Sequence, residues 1–370
     1  MTIDTKSLKE LFPVKNKYRY FNFAADGPLP VSSRDAMFEA LNECSEEGLM
    51  AVHKQVGVFE EIRDELSLFF RSKREHFAFT RNTSEGVLLA LLNLNISEDD
   101  NYIVAEDAFP TTVKIMDNHC KGQKRTVLIN DRKPLLEQLQ EVCDNKTQVI
   151  VLDWVHYYTG KVIDIESITK WARQKGILTI IDGIQGAGGL SLSLDDSGID
   201  FFVTGAHKWL LSPQGSGFIY ASPEVWKKVK RKSFGWLGYD WKDFASFSID
   251  ADLREGATVM EYGTRPYITA LGFRETLRLF NKLGAQAIET HNRQLKDYFY
   301  TVIQNKGYET FSNDRASSIV SFKSPRKNSH EIRDALEKEK IIVSVRNGYV
   351  RAAFHFINDM EEVETFVNFL

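Results

Sequence analysis

From about Tyr18 to Tyr220 the chain alternates short apolar runs with longer amphipathic stretches, and this alternation constrains the fold more than any other feature. The runs are Tyr20–Ala24, His76–Thr80, Tyr102–Ala105, Thr126–Ile129, Val149–Val155, Ile177–Asp182, Phe201–Val203 and Phe218–Tyr220. Between them, helical candidates fall near Glu60–Phe70, Ser84–Leu94, Thr112–Cys120, Pro134–Val142 and Ile165–Lys175. Strands that look buried on both faces, separated by helices, imply an α/β fold with a mostly parallel sheet covered on both sides. Ligands of such sheets sit beyond the carboxyl ends of the strands. Asp182 and the Thr80–Ser84 turn both fall at such ends.

The texture changes after Trp226. An aromatic loop, Phe234–Tyr239, precedes a long helical region from about Pro266 to Asn305, broken near Gly284. Apolar runs Ser318–Phe322, Ile341–Val345 and Tyr349–Phe354 follow, with helices near Glu331–Lys338 and Glu361–Leu370. This segregation predicts a smaller α+β domain. At 370 residues the chain exceeds one ordinary core, so two domains are expected. The expected division is residues 1–17 as a segment packing with the small domain, 18–255 as the large domain, and 256–370 as the small one. A net charge of -4 with scattered Lys and Arg argues against a nucleic-acid groove or a basic membrane patch. No stretch approaches the roughly 18 apolar residues of a membrane span, and Met1–Lys6 shows no apolar leader core. Three widely spaced cysteines, Cys44, Cys120 and Cys143, suit a reducing compartment, and the expected location is cytoplasmic. The eight His show no metal-binding spacing.

The chemistry concentrates at a few positions. Lys208 lies in Thr204-Gly205-Ala206-His207-Lys208-Trp209-Leu210, just past an apolar run and before the glycine-marked turn Ser212–Gly217. Asp182 ends the strand candidate upstream. A lysine on a loop near an acid at a strand end is the minimum equipment for holding pyridoxal 5'-phosphate. The amine forms an imine with the aldehyde, and the carboxylate keeps the ring nitrogen protonated. Thr83 or Ser84 is expected to cap a helix whose free N–H groups favour a phosphate. Gln185 falls within reach of the same ring, and Phe109 offers a flat aromatic to stack on it. His207 is placed to donate to the phosphate or tune the amine. Arg351, between apolar neighbours in Tyr349–Phe354, needs an anionic partner; a substrate carboxylate and a structural ion pair both satisfy that need.

Together these stretches resemble the class-V aminotransferase group of pyridoxal-phosphate enzymes, which holds cysteine desulfurases, kynureninases and isopenicillin N epimerase-like proteins. The matching segments are Asn22–Pro30, Thr80–Glu85, Asp182–Gly186, His207–Leu210, Glu261–Thr264 and Val350–Asn358. The resemblance implies the fold type I of pyridoxal-phosphate-dependent transferases, with a mostly parallel, seven-stranded type of sheet and a smaller C-terminal domain. It also implies a homodimer with shared active sites. It makes Lys208 the imine lysine and Asp182 the partner of the ring nitrogen. Gln185 becomes a contact to the ring oxygen, Thr83, Ser84 and His207 contacts to the phosphate, and Phe109 the stacking ring. Thr264 would reach the neighbour's phosphate, Arg351 and Asp26 would bind an amino-acid substrate, and His156 would join the catalytic group. Two departures stand out. Gly205 occupies a position where many desulfurases carry a phosphate-binding serine, and whether Thr204 compensates is left open by the sequence. Desulfurases also need a cysteine on a loop shortly before the C-terminal arginine, and this chain has none after Cys143. The expected activity is therefore a C–S lyase without a persulfide cysteine. Alternatives are an aminotransferase, an epimerase, a kynureninase-like hydrolase and a non-catalytic regulatory protein.

Overall fold

The protein is described by a computed structural model covering residues 8–48, 52–129, 132–241, 251–311 and 317–370. Its main sheet is built from β1 (Phe77–Thr80), β2 (Asn101–Ala105), β3 (Gln123–Val127), β4 (Thr147–Asp153), β5 (Leu178–Asp182), β6 (Phe201–Gly205) and β7 (Gly217–Ala221). The seven strands lie in the order β1-β7-β6-β5-β4-β2-β3. Only β7 runs against its neighbours, pairing antiparallel with β1 and β6. The apolar runs are continuous because both faces are covered. Ile150, Leu152, Ile181 and Phe202 enter one core, while Val149, Val151, Ile180 and Val203 enter the other.

The helices that matter for the site are α1 (Val31–Glu46), α2 (Val52–Phe70), α3 (Thr83–Asn93), α4 (Pro110–His119), α5 (Ile165–Gln174), α6 (Tyr267–Leu283) and α7 (Ala285–Asn305). Helix α3 packs against β6 closely enough that a Cβ on Gly86 would come within 2.9 Å of Val203 Cβ. The run Tyr20–Ala24 does not join the main sheet. Arg19–Tyr20 pairs instead with Ile341–Ile342 of the C-terminal region.

A second sheet, of β8 (Glu309–Thr310), β9 (Ile319–Lys323), β10 (Ser344–Arg346) and β11 (Tyr349–Ala353), has the order β8-β9-β11-β10 and is antiparallel throughout. It packs with Phe299, Leu336 and Phe366 into a separate core. The division from the large unit lies later than 255/256. Ala257, Val259 and Met260 belong to one core of the main sheet, and α6 contributes Phe273, Leu277 and Phe280 to the other. The long helical region breaks at Gly284, whose φ of 83° favours glycine, and α7 then packs on the small sheet. Of the N-terminal segment, residues 1–7 lie outside the described residues. Lys15 is paired with Asp359 and Glu362, and Phe12 meets Phe356 edge-on. Among the described residues no helix is long and apolar enough to cross a membrane.

Candidate active site

The carboxyl ends of β4, β5 and β6 and the N-termini of α3 and α4 open onto a cleft of about 290 Å³. Lys208, Asp182, Gln185, Thr83, Ser84, Phe109, His207 and Arg351 all line it. These eight come from five separate stretches of chain, and the fold brings them to one cleft.

Lys208 sits in the turn between β6 and β7. That turn is held by the N-terminal segment: Gly27 N donates to His207 O at 2.8 Å. A Cβ at Gly27 would lie 2.2 Å from Lys208 O, so only glycine allows this approach. Burial pushes the Lys208 amine down to about 8, with Asp182 the strongest charge acting the other way. Its Nζ stands 5.4 Å from the centre of the Phe109 ring. Asp182 accepts the Ile184 N–H at 2.9 Å through Oδ1. Burial lifts its carboxyl to about 6, opposed by that N–H and by Lys208.

Gln185 is engaged at both ends. Nε2 donates to Ala24 O and Oε1 accepts from Trp209 Nε1, each at 2.9 Å, leaving one Nε2 hydrogen uncommitted. The cap of α3 is Asn82, whose side chain accepts the Glu85 N–H at 2.9 Å. Thr83 and Ser84, expected as caps, are the first two helical residues, and their N–H groups are among those a helix leaves unused. Thr83 Oγ1 also accepts from Gly205 N at 2.9 Å. His207 faces the cleft half-buried, its pKa lowered by burial and then by Lys208. A Cβ on Gly205 would lie 3.1 Å from His207 Nδ1, so a serine there would crowd the imidazole. Thr204 does not take the serine's place: it is fully buried and donates to Gly205 O.

Arg351, on β11, is 2% exposed. Nε donates to Ser344 Oγ at 3.2 Å and Nη1 to Tyr157 O at 2.6 Å, while Nη2 is buried without a partner among the described residues. Burial and the nearby Arg346 both depress its pKa. The loop that meets it, Tyr157–Gly160, is clasped by the small sheet. Ser317 N donates to Gly160 O at 2.8 Å, Ser321 Oγ donates to Tyr158 O, and a Cβ on Gly160 would lie 2.7 Å from Ile319 O.

Three expected residues fall outside the cleft. His156 is fully buried beneath Tyr157 and Tyr158, its ring nitrogens 2.8 Å from Thr159 Oγ1 and 2.8 Å from Asp107 O. It braces the loop and lines no part of the cleft, so the expected catalytic place is not where the fold puts it. Asp26 lies beside the cleft but spends its carboxylate on Gln214 Nε2 at 3.1 Å and on Gly27 N. Thr264 lines a separate hollow with Arg81 and Tyr262. Conversely, Tyr157, Arg346 and Asn82 line the cleft without having been singled out.

The donor set suits a phosphorylated aldehyde with a ring nitrogen: unused N–H groups at a helix start, a buried amine with no hydrogen-bonded anion among the described residues, a carboxyl at a strand end and an aromatic wall. The class-V aminotransferase family matches residues 20–366 of the chain. The chain belongs to that family. Its cofactor is pyridoxal phosphate, and it is an enzyme of the lyase or transferase type. Similar class-V relatives include a probable cysteine desulfurase of Staphylococcus epidermidis, 24% identical over all of this chain and 96% of the relative. Another, from Staphylococcus aureus, is 25% identical over 84% of this chain and 80% of its own. Among solved structures, a lysine-to-alanine mutant of C-DES with glycine covalently linked to its PLP cofactor superposes with a TM-score of 0.90, at 20% identity, covering 97% of this chain and 98% of that one. The apo cysteine desulfurase of Thermococcus onnurineus NA1 gives 0.86 at 22% identity, covering 100% and 97%. The cystine C–S lyase C-DES in complex with its product cysteine persulfide gives 0.88 at 21%, covering 96% and 98%. These likenesses show the shared type I fold.

Proposed function

We propose that this class-V enzyme is a C–S lyase that eliminates a sulfur-bearing substituent from Cβ of an amino acid without parking the sulfur on a cysteine of its own. The observation that carries the reading is the hairpin before Arg351. Val345-Arg346-Asn347-Gly348 turns directly from β10 into β11, with Asn347 and Gly348 at φ 49° and 77° and no thiol in it. Where a desulfurase would carry a mobile cysteine, this chain presents the guanidinium of Arg346 to the cleft. The relative named as a cystine C–S lyase, with cysteine persulfide as its product, supports a reaction in which the sulfur leaves on the product.

When bound, pyridoxal phosphate supplies an aldehyde for the substrate's amino group and a ring that accepts electrons released at Cα. The first-turn N–H groups of Thr83 and Ser84, with His207, hold its phosphate at the positive end of α3. Asp182 would keep the ring nitrogen protonated, Gln185 would donate its uncommitted Nε2 hydrogen to the ring oxygen, and Phe109 would supply the stacking wall. Lys208 is the amine that would hold the aldehyde. Its Nζ would then take the Cα proton. Arg351 Nη2 holds the α-carboxylate and so fixes which Cα bond lies beside that amine. As the Cα–H pair becomes the Cα–Cβ double bond, the C–S pair departs with sulfur. For a cysteine-type substrate the released enamine hydrolyses in water to pyruvate and ammonia. We further place the enzyme in the cytoplasm as a homodimer, with Thr264 directed to the neighbour's phosphate.

The test is a screen of sulfur amino acids with pyruvate, ammonia and sulfide or persulfide measured together, on the wild type and on a Cys44→Ser, Cys120→Ser, Cys143→Ser triple variant. Stoichiometric pyruvate and ammonia without a keto-acid acceptor, unchanged in the triple variant, is the expected result. Turnover only when a 2-oxo acid is added would make the enzyme an aminotransferase instead.

A further inference from the structure

One carboxyl at the site has no part in the chemistry above. Asp153 ends β4, is 4% exposed, and accepts the Phe109 N–H at 2.9 Å through Oδ2. Its other oxygen, Oδ1, is buried and has no hydrogen-bond partner among the described residues. The β4–β5 register sets Asp153 opposite Asp182. Strand alternation turns both side chains to the same face, on strands about 4.8 Å apart. Two carboxylates held this way, away from water, do not both ionise. The charged groups facing Asp153 are Asp182 from β5, Asp107 from the turn after β2, and Lys208 from the turn after β6, two anions against one cation. Only Asp182 of the pair lines the cleft.

We propose that Asp153 is a positioning residue that remains a neutral carboxylic acid in the folded enzyme, its Oδ2 fixing the turn that carries Phe109 while Asp182 alone holds the site's negative charge. The proposal rests on the roles given above to Asp182 and Phe109. A buried carboxylate oxygen without a donor is far costlier than an unpaired neutral hydroxyl, so the orphaned Oδ1 is the natural seat of the proton. Burial first, and Asp182 second, raise the Asp153 carboxyl well above the usual carboxylate range. A neutral amide of the same shape should therefore serve in its place, since its oxygen can still accept from Phe109 N.

Infrared difference spectra of the holoenzyme at neutral pH, wild type minus Asp153→Asn, test the protonation. The expected result is a protonated-carboxyl stretch that the variant lacks; loss of an ionised-carboxylate band instead overturns the proposal. Pyridoxal phosphate affinity, titrated on unloaded protein, tests the positioning. Asp153→Asn should bind within about threefold of wild type. Asp153→Ala, missing one hydrogen bond of about 1.4 kcal/mol, should bind about tenfold more weakly. Equal weakening in both variants also overturns it. Asp182→Asn separates this from the underlying reading: normal affinity there removes the role given to Asp182, whatever the Asp153 spectra show.

Discussion

Arg351 offers the sharpest check on the site. Two of its guanidinium nitrogens donate to Ser344 Oγ and Tyr157 O, and Nη2 has no partner among the described residues. A hydrogen bond between a charged pair contributes about 1.5–3 kcal/mol, which corresponds to about 10- to 150-fold in kcat/KM. Arg351→Ala should therefore lose kcat/KM within that range for cysteine or cystine. The substitution also strips a donor from Tyr157 O, so a melting curve is needed to separate substrate recognition from damage to the loop. A better separation comes from the ligand. Cysteamine has the amine and the sulfur of cysteine but no carboxylate. Its spectrally measured binding constant should change less than about twofold in the variant, because it never used Nη2. Equal losses for cysteine and cysteamine would refute the carboxylate role and leave Arg351 a structural residue.

Two further outcomes follow from the charges at and behind the cleft. In unloaded protein the Lys208 amine titrates near 8 rather than at its ordinary 10.5, so between those values the unfolded chain binds more protons at this position. Wild-type stability should climb with pH across that window relative to Lys208→Met, which should be the more stable below it; urea melts at pH 7, 8.5 and 10 showing a constant gap would contradict the burial of the amine. Glu261 is fully buried and takes Arg63 Nη2 at 3.0 Å, Phe79 N at 2.9 Å and Arg265. Burial raises its carboxyl, but the two guanidinium groups win and hold it below the ordinary range. Its stabilisation is thus present above the unfolded pKa and lost as pH falls through the folded one. Glu261→Gln should cost about 3–5 kcal/mol at neutral pH by taking the carboxylate from Arg265 and leaving Arg63 with Glu60 alone, and less in acid; a cost under about 1 kcal/mol by urea titration would show the network to be dispensable.

Much of this site was readable in the sequence because strand ends and their chemistry coincide. Asp182 terminates an apolar run, Lys208 follows one, and Gly284 interrupts a helical pattern at the point where the chain bends. What escaped reading depended on direction. In Val155-His156-Tyr157-Tyr158 nothing local says which side chain faces the cleft; the fold turned Tyr157 toward it and sealed His156 beneath. Asp153 was hidden inside the apolar run Val149–Val155, where an acid gives no periodic signal. The α3 cap fell to Asn82 because its side chain reaches Glu85 N, although Thr83 and Ser84 were equally acceptable residue types. Helix α1 left no clear stripe because Phe38 and Leu41 stay exposed on its outer face, blurring the pattern. The division at 255/256 was read from a change of texture, whereas packing carries the large unit on through α6.

The clasp around Tyr157–Gly160 has a consequence for how this enzyme fails. Lys208 and Asp182 stand on the large sheet and Arg351 on the small one, and this loop is one abutment between them, beside the 2.7 Å contact of His355 Nε2 with Trp209 O. Alignment of amine and guanidinium is thus a property of how the two sheets pack against each other. A side chain at Gly160, whose φ is 79° and whose Cβ would press on Ile319 O, strains the loop and pushes it off the small sheet. Its signature is a slower and less stable enzyme that still takes up its coenzyme, with the catalytic fault lying in the aim of the substrate.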